Sequence, residues 1–338
     1  MSSLFKPLTL GKTLLKNRII MAPLTRGRAG ALGIPGNLMA ECYAQRASAG
    51  LIIAEATAVS PGGRGWLNSP GLYNQQQQDG WAKVASAVHK NKGRLFVQLW
   101  HMGAAVHPDF INDKQPVSAS QVKLIGQLPT PKGRDRTFTT PRALSIDEIK
   151  QQVKNFAQAA RRAIDAGLDG VEIHAANGFL IDQFTRDRTN QRIDKYGGSI
   201  DNRLRFMNEV VTAVCHEIGA DKVGIRISPT NSTWGINDSQ YKKTFARAMD
   251  LLNPFNLAYV HVLESKPTAD SGMEYLTPLL RQTYKGTLLA NGGYNLDTGS
   301  MAINADLADA IAFGMPFIAN PDLVERYQHG APLSQPDN

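Results

Sequence analysis

Eight short apolar runs, most of them followed by a helical pattern, constrain this chain more than any other feature. They are Arg18–Met21, Leu51–Ala54, Arg94–Val97, Gly170–Ile173, Lys222–Ile225, Leu257–Val260, Gly286–Leu289 and Asp309–Ala312. Near-continuous apolar runs of about four to six residues suit strands buried on both faces, as in a parallel sheet. The helices between them are legible. Ser145-Ile-Asp-Glu148 spells a capping box, and Ile149, Val153, Phe156, Ala160 and Ile164 follow at helical spacing until Gly167 stops the helix. Residues 201–216 carry Leu204, Met207, Val211 and Val214 on one stripe, and Trp81–His89 reads as a third helix. Eight strand–helix units predict a (β/α)8 TIM barrel, here one α/β domain over residues 1–338. Two segments fall outside the repeat. Residues 1–17 read as an N-terminal hairpin able to plug the barrel bottom. Residues 101–144 form a long polar insertion after the third strand, where barrel active-site loops lie, and are expected to cap the site.

Composition narrows the function classes. With only two cysteines, Cys42 and Cys215, a disulfide scaffold, a four-cysteine zinc site and an all-cysteine iron–sulfur cluster are excluded. The net charge of +8 comes from 37 Lys and Arg spread along the chain, and the densest basic stretch, Lys132–Arg142, is short and interrupted. A nucleic-acid binder would gather that charge on one face, so no nucleic-acid partner is expected, although a pull on anionic ligands remains open. No apolar run approaches the roughly 18 residues of a membrane span, and the first residues lack the apolar centre of a secretory signal. The expectation is a cytoplasmic protein with no membrane partner.

In barrel enzymes the chemistry sits at the C-terminal ends of the strands. Reading just past each run gives Ala22–Arg26, Glu55–Thr57, Gln98–His101, His174–Asn177, Arg226–Ser228, His261 and Glu264, Asn291–Gly293, and Gly314–Met315. No carboxylate pair suits a glycosidase, no His and Glu spacing suits a metal, and no lysine near the first six ends suits a Schiff base. What remains resembles a site that holds a ligand already carrying the reactivity, which means a cofactor. Gly292 and Gly293 after the seventh strand, with Gly314 after the eighth, would let backbone N–H groups approach a phosphate closely.

At this point the chain resembles a known family. The segments Met21-Ala-Pro-Leu-Thr-Arg26, Tyr43-Ala-Gln-Arg-Ala-Ser-Ala-Gly50, Val97-Gln-Leu-Trp-His101, His174-Ala-Ala-Asn-Gly178, Asp194-Lys-Tyr-Gly-Gly-Ser199 and Phe317-Ile-Ala-Asn-Pro-Asp-Leu323 look like the Old Yellow Enzyme family of flavin-dependent ene-reductases, in order, from about residue 4 to 328. The resemblance implies an FMN-containing barrel, reduced by NAD(P)H, that passes hydride to activated alkenes, quinones or nitro compounds in a ping-pong cycle. The implied partners are those small electrophilic acceptors and NAD(P)H, for a monomer or homodimer.

The resemblance also implies roles, position by position. Thr25 would touch the flavin C4 carbonyl and tune its electron affinity, with Pro23 beside it; relatives with Cys there form a different branch. Gln98 would hold the pyrimidine edge, Arg226 would face flavin N1 and the C2 carbonyl, and Ala56 would leave room for the ring. Gly292, Gly293, Gly314 and Met315 would surround the phosphate. His174 and Asn177 would bind the acceptor oxygen, with Trp66, Trp100 and Phe179 as pocket walls. Three departures stand out. Phe179 occupies the position of the family's tyrosine, whose phenol protonates the substrate carbon, which implies weakened enone reduction. Met315 stands where an arginine usually pairs with the FMN phosphate, which implies looser FMN. The chain ends at Asn338, without the Gly- and Tyr-rich tail that closes over the family's site. The alternatives are a flavin-binding barrel with a non-catalytic role, or a barrel that binds another phosphate ligand.

Overall fold

In a computed structural model of the chain, residues 2–264 and 274–336 are described. The strands Ile19–Met21, Leu51–Ala58, Leu95–Trp100, Gly170–Ala175, Val223–Ile227, Tyr259–Leu263, Leu288–Asn291 and Ala310–Phe313 pair in parallel around a closed barrel. Closure comes from the last strand meeting the first, with Ile311 opposite Ile19 and Phe313 opposite Met21. Each strand coincides with one of the eight apolar runs, because burial on both faces demands apolar side chains inside the barrel and under the helices. Several strands run further than their apolar stretch. The second continues to Ala58 across a register irregularity between Ala54 and Thr57, so Glu55 and Ala56 lie within the strand. The third carries Gln98 and Trp100, and the sixth carries His261. A polar side chain pointing inward interrupts the hydropathy pattern without interrupting the backbone ladder, which is why sequence patterning ends these strands early.

The helix Ile146–Asp165 forms as its capping box requires. The Ser145 hydroxyl accepts from Glu148 N at 3.2 Å, and the Glu148 carboxylate accepts from Ser145 N at 2.8 Å. Arg142 donates to both Glu148 oxygens at 2.8 and 2.7 Å, and these bonds hold the Glu148 carboxyl down at about 2. Gly167, with φ +84°, turns the chain out of this helix. No helix among the described residues is long and apolar enough to cross a membrane.

The N-terminal hairpin pairs Leu8–Leu10 with Thr13–Leu15 in antiparallel register. Leu10 and Leu15 are fully buried and pack with Ile20, Leu51, Phe96 and Leu289 inside the barrel, closing its bottom. The turn holds Gly11 at φ +56°, and a Cβ there would lie 2.1 Å from the Asp221 carbonyl oxygen. The insertion closes on itself where Val117–Ser118 pairs with Arg142–Ala143. Its hairpin, Gln127–Thr130 with Gly133–Thr137, hangs over the C-terminal rim. Leu124, Leu128 and Phe138 of the insertion pack with Trp100, Phe179 and Ile236. Gln183 bolts the insertion down: its amide donates to the carbonyls of Met102 and Gly178 at 3.0 and 2.7 Å and accepts from Ala104 N and the Ser118 hydroxyl at 3.0 and 2.9 Å. At the start of the insertion, buried His101 accepts from Gly103 N through Nδ1 at 3.0 Å.

Two outcomes are expected. Gly11→Ala and Gly30→Ala both place an L-residue at positive φ, a backbone penalty of about 1–2 kcal/mol. Only Gly11 also meets backbone, since Gly30 has nothing within 4 Å of its Cβ position. Gly11→Ala should therefore lower the melting temperature clearly more than Gly30→Ala, and equal shifts would contradict the packed turn. The second outcome concerns acid. Burial holds the His101 imidazole at about 4, against an ordinary value of 6.5. Between those values the unfolded chain takes up a proton that the folded chain refuses. Stability from this group is complete above pH 6.5 and falls as pH drops toward 4, with a limiting slope of about 1.4 kcal/mol per pH unit. His101→Asn should flatten the fall of urea midpoint with pH in that window, leaving the part due to His174 and His261, which burial lowers in the same direction.

Candidate active site

The C-terminal strand ends converge on one cavity of about 430 Å3. Pro23 and Thr25 reach it from the segment after the first strand, Ala56 from the second strand, and Trp66 from the loop beyond. Gln98 and Trp100 come from the third strand, His174 from the fourth, and Arg226 from the fifth. Asn177 and Phe179 follow the fourth strand. All of these residues are brought together from the sequence reading. Gly292, Gly293, Gly314 and Met315 do not line this cavity. They leave the paired seventh and eighth strands, where Asn291 stands opposite Ala312. Gly292, at φ +127°, lets the chain pass the Glu264 carbonyl, which a Cβ would meet at 1.7 Å. Gly293, at φ +76°, has open space where its Cβ would be. Met315 opens the short helix Met315–Ala319 and is exposed.

Backbone contacts explain how the lining is held. The segment after the first strand wraps a buried carboxylate: Glu55 accepts from Arg26 N and Gly27 N at 3.0 and 3.2 Å and from the Tyr43 hydroxyl at 3.2 Å. Burial raises the Glu55 carboxyl, and those hydrogen bonds pull it back. Asn177 adopts φ +58°, a left-handed conformation that asparagine tolerates, and its N–H donates to the Ser228 hydroxyl at 2.7 Å. Its side-chain oxygen accepts from Asn231 at 3.4 Å, which leaves its NH2 group free to donate. Next to it, buried Asp182 accepts from Gly178 N at 2.9 Å and from Arg186 at 2.7 Å, while Arg186 donates to the Ser228 carbonyl at 2.6 Å. The fourth and fifth strand ends are thereby clamped together.

The electrostatics follow from burial. The His174 imidazole is held well below its ordinary value, first by burial and then by the Arg226 charge, so it stays neutral. It stacks on Trp100 with centroids 6.3 Å apart, and its Nδ1 is buried without a partner. Phe179 stands edge-on to His174 and Trp100, both at 4.8 Å. Arg226 donates to Asn291 Oδ1 at 2.7 Å, while its Nε is buried and unpartnered. Natural interiors rarely leave such groups alone, so these atoms mark places that a polar ligand satisfies. A guanidinium, an amide and a threonine hydroxyl along one floor suit the carbonyl–NH–carbonyl edge of an isoalloxazine ring, and the residues present therefore fit FMN.

Four lining residues escaped the sequence reading: Asn231, Thr233, Trp234 and Leu263. Trp234 sits at φ +62° in the loop after the fifth strand, edge-on to Phe179 at 5.7 Å and to Phe138 of the insertion at 5.2 Å. Its signal was a tryptophan in an otherwise polar, Gly-containing loop at the functional end of a strand. Glu172 and His261 also passed unassigned below the cavity. The signal there was a glutamate inside the apolar run Gly170–Ile173.

Comparison with known proteins agrees with this geometry. The NADH:flavin oxidoreductase / NADH oxidase family matches residues 3–334. The chain is similar to 12-oxophytodienoate reductase 7 of Oryza sativa subsp. japonica, with 42% identity over 352 residues that span 98% of this chain and 89% of the relative. An old yellow enzyme homologue from Zymomonas mobilis superposes with a TM-score of 0.96 at 42% identity, covering 98% of this chain and 94% of its own. Morphinone reductase in complex with tetrahydroNAD superposes with a TM-score of 0.94 at 43% identity, covering 100% and 93%. With the closed barrel, the flavin-compatible floor and these relatives in hand, the chain belongs to the NADH:flavin oxidoreductase family that includes the Old Yellow Enzymes, and it is an FMN-dependent, NAD(P)H-dependent oxidoreductase.

Proposed function

We propose that this oxidoreductase works by a ping-pong cycle and favours nitro compounds and quinones over simple enones as acceptors. The observation that carries the proposal is Phe179, a ring without a dissociable proton, packed edge-on against His174 on the cavity wall. Storage and transfer of hydride between NAD(P)H and the acceptor is the chemistry FMN supplies when bound. Thr25, Gln98 and Arg226 would hold its pyrimidine edge, with Pro23 and Ala56 against the ring. Gly292, Gly293, Gly314 and Met315 would border its phosphate, where the exposed thioether of Met315 offers no charge-assisted contact. Residues 101–144, packed through Leu124, Leu128 and Phe138 over the cavity rim, would act as its cap.

The protein's own groups then divide the work. Neutral His174 and the free NH2 of Asn177 direct two donors at one acceptor oxygen, drawing charge out of the conjugated system as hydride arrives. Trp66, Trp100 and Trp234 supply flat apolar walls that favour planar acceptors and exclude water. An enone also needs a proton at carbon, and Phe179 has none to give. Nitro and quinone oxygens take their protons from water, so they do not need a carbon acid. Two of the similar proteins are named as reductases of 12-oxophytodienoate and morphinone, which supports a carbonyl-bearing or similarly polar acceptor class.

Two outcomes test this reading. The double variant His174→Ala, Asn177→Ala should lose the long-wavelength band formed with a phenol such as 4-hydroxybenzaldehyde, while flavin content per chain is retained. A band of undiminished strength would remove these residues from the acceptor site. Phe179→Tyr should raise the rate at which 2-cyclohexenone reoxidises the reduced enzyme in stopped flow, by up to the hundredfold or more that a positioned acid contributes. Reoxidation by a quinone or nitroarene should change little. If the native protein already matches its tyrosine variant on cyclohexenone, the acceptor preference proposed here is wrong.

A further inference from the structure

Directly below the cavity the barrel interior turns from apolar to polar around one acid. Glu172, on the fourth strand, is fully buried. The Gln98 amide donates from Nε2 to Glu172 Oε1 at 2.7 Å, and His261 Nδ1 lies 2.7 Å from Oε2. The ladder puts these groups side by side, with Glu172 in register with Gln98 and Arg226 in register with both His174 and His261. Arg226 bonds the neutral Asn291. Glu172 pairs in register with Gly224, two residues before Arg226 on the same face of the fifth strand, so its carboxylate lies on the interior side that Arg226 shares, and its charge opposes the effect of burial on the guanidinium. Neither Glu172 nor His261 lines the cavity.

We propose that Glu172 is a positioning residue for the cofactor: it orients the Gln98 amide so that its oxygen faces the cavity, and it supplies the counter-charge to Arg226. The inference rests on the reading that Gln98 and Arg226 hold the flavin pyrimidine edge. Its chemistry follows from donor and acceptor counts. A side-chain amide is symmetric in shape, so packing alone does not choose which end points where. An ionised carboxylate only accepts, so Gln98 must turn its NH2 group toward Glu172 and its carbonyl oxygen away. His261 Nδ1 sits within hydrogen-bond reach of the second oxygen, and burial lowers the imidazole from its ordinary value. The cavity floor then reads donor at Arg226, acceptor at Gln98 and donor at Thr25. That order complements the carbonyl, N–H and carbonyl of a flavin imide edge. The same carboxylate limits how much positive potential Arg226 projects onto that edge, where negative charge gathers on reduction.

The test uses the full-length holoenzyme and two readouts, FMN dissociation on dilution and the two-electron midpoint potential. Glu172→Gln removes both the fixed acceptor and the counter-charge. FMN should bind about tenfold more weakly. The potential should rise by about 30 mV, the equivalent of a tenfold shift for a two-electron couple, because an unbalanced Arg226 favours the anionic reduced form. Glu172→Asp keeps the charge but withdraws the oxygen from Gln98, so it should weaken FMN with no rise in potential. A merely structural role would not separate the two readouts in this way. Native-like affinity in both variants overturns the proposal, and so does a potential that stays level or falls in Glu172→Gln. Should Glu172→Gln fail to fold, the affinity of Glu172→Asp decides in the same sense. Gln98→Ala separates the two levels of inference. If it binds FMN as the native protein does, the cofactor reading of the cavity fails and this proposal with it. If it weakens FMN while both Glu172 variants do not, only the role of Glu172 fails.

Discussion

Everything in this protein depends on the closure of its eight-stranded sheet, made where the Ala310–Phe313 strand pairs with Ile19–Met21. A closed sheet has no edge, so each strand must send alternate residues into one shared interior. That interior is graded along the barrel axis. At the bottom, Ile20, Leu51, Phe96 and Leu289 meet the leucines of the N-terminal hairpin in a dry core. Above them lie Gln98, Glu172, Arg226 and His261, all buried and polar. The cavity opens on top of these. Apolar burial at the bottom supplies the stability that lets the upper interior carry groups that are expensive to bury.

The loops on the rim are short of regular structure, yet their side chains are tied both to backbone and to one another. Gln183 satisfies four groups from the insertion and the fourth strand's exit. The Asp182–Arg186 pair reaches Gly178 and Ser228 on adjacent strand ends. Such contacts fill the hydrogen-bonding capacity of buried charges, the condition under which an ion pair inside a protein is tolerated. They also place His174, Asn177 and Phe179 on a rigid mount, as a site acting through sub-ångström orientation requires. Trp234, at positive φ between Phe138 and Phe179, shows the insertion and the fifth loop packed as one unit over the cavity.

The site's chemistry is that of donors and walls. His174 is neutral because it is buried beside a cation, so in the proposed reading it would donate to an acceptor oxygen without adding a second charge beside Arg226. Its aromatic surroundings are all carbon or indole. The protein therefore supplies orientation and electrostatics, and the hydride belongs to the cofactor, a division usual for flavin enzymes.

Much of this was legible in the amino-acid sequence. The eight apolar runs determined the eight strands and hence the barrel, because residues buried on both faces leave no polar alternation. Ser145 and Glu148 determined a helix start, because their side chains satisfy the first free N–H groups. Pro23, Thr25, Gln98, His174 and Asn177 were recognisable from their motifs and Arg226 from its place just past the fifth run, and the cavity gathers them. Tertiary structure alone decided the rest. Strand ends at Ala58, Trp100 and Leu263 are set by ladder pairing, which hydropathy does not see. Trp234 and Leu263 enter the cavity only because the parallel pairing of the fourth, fifth and sixth strands sets their exits side by side in that order. The union of Glu172 with Gln98 and His261, residues 74 and 89 positions away, is invisible along the chain, since a carboxylate finds its donors across neighbouring strands and not among its sequence neighbours.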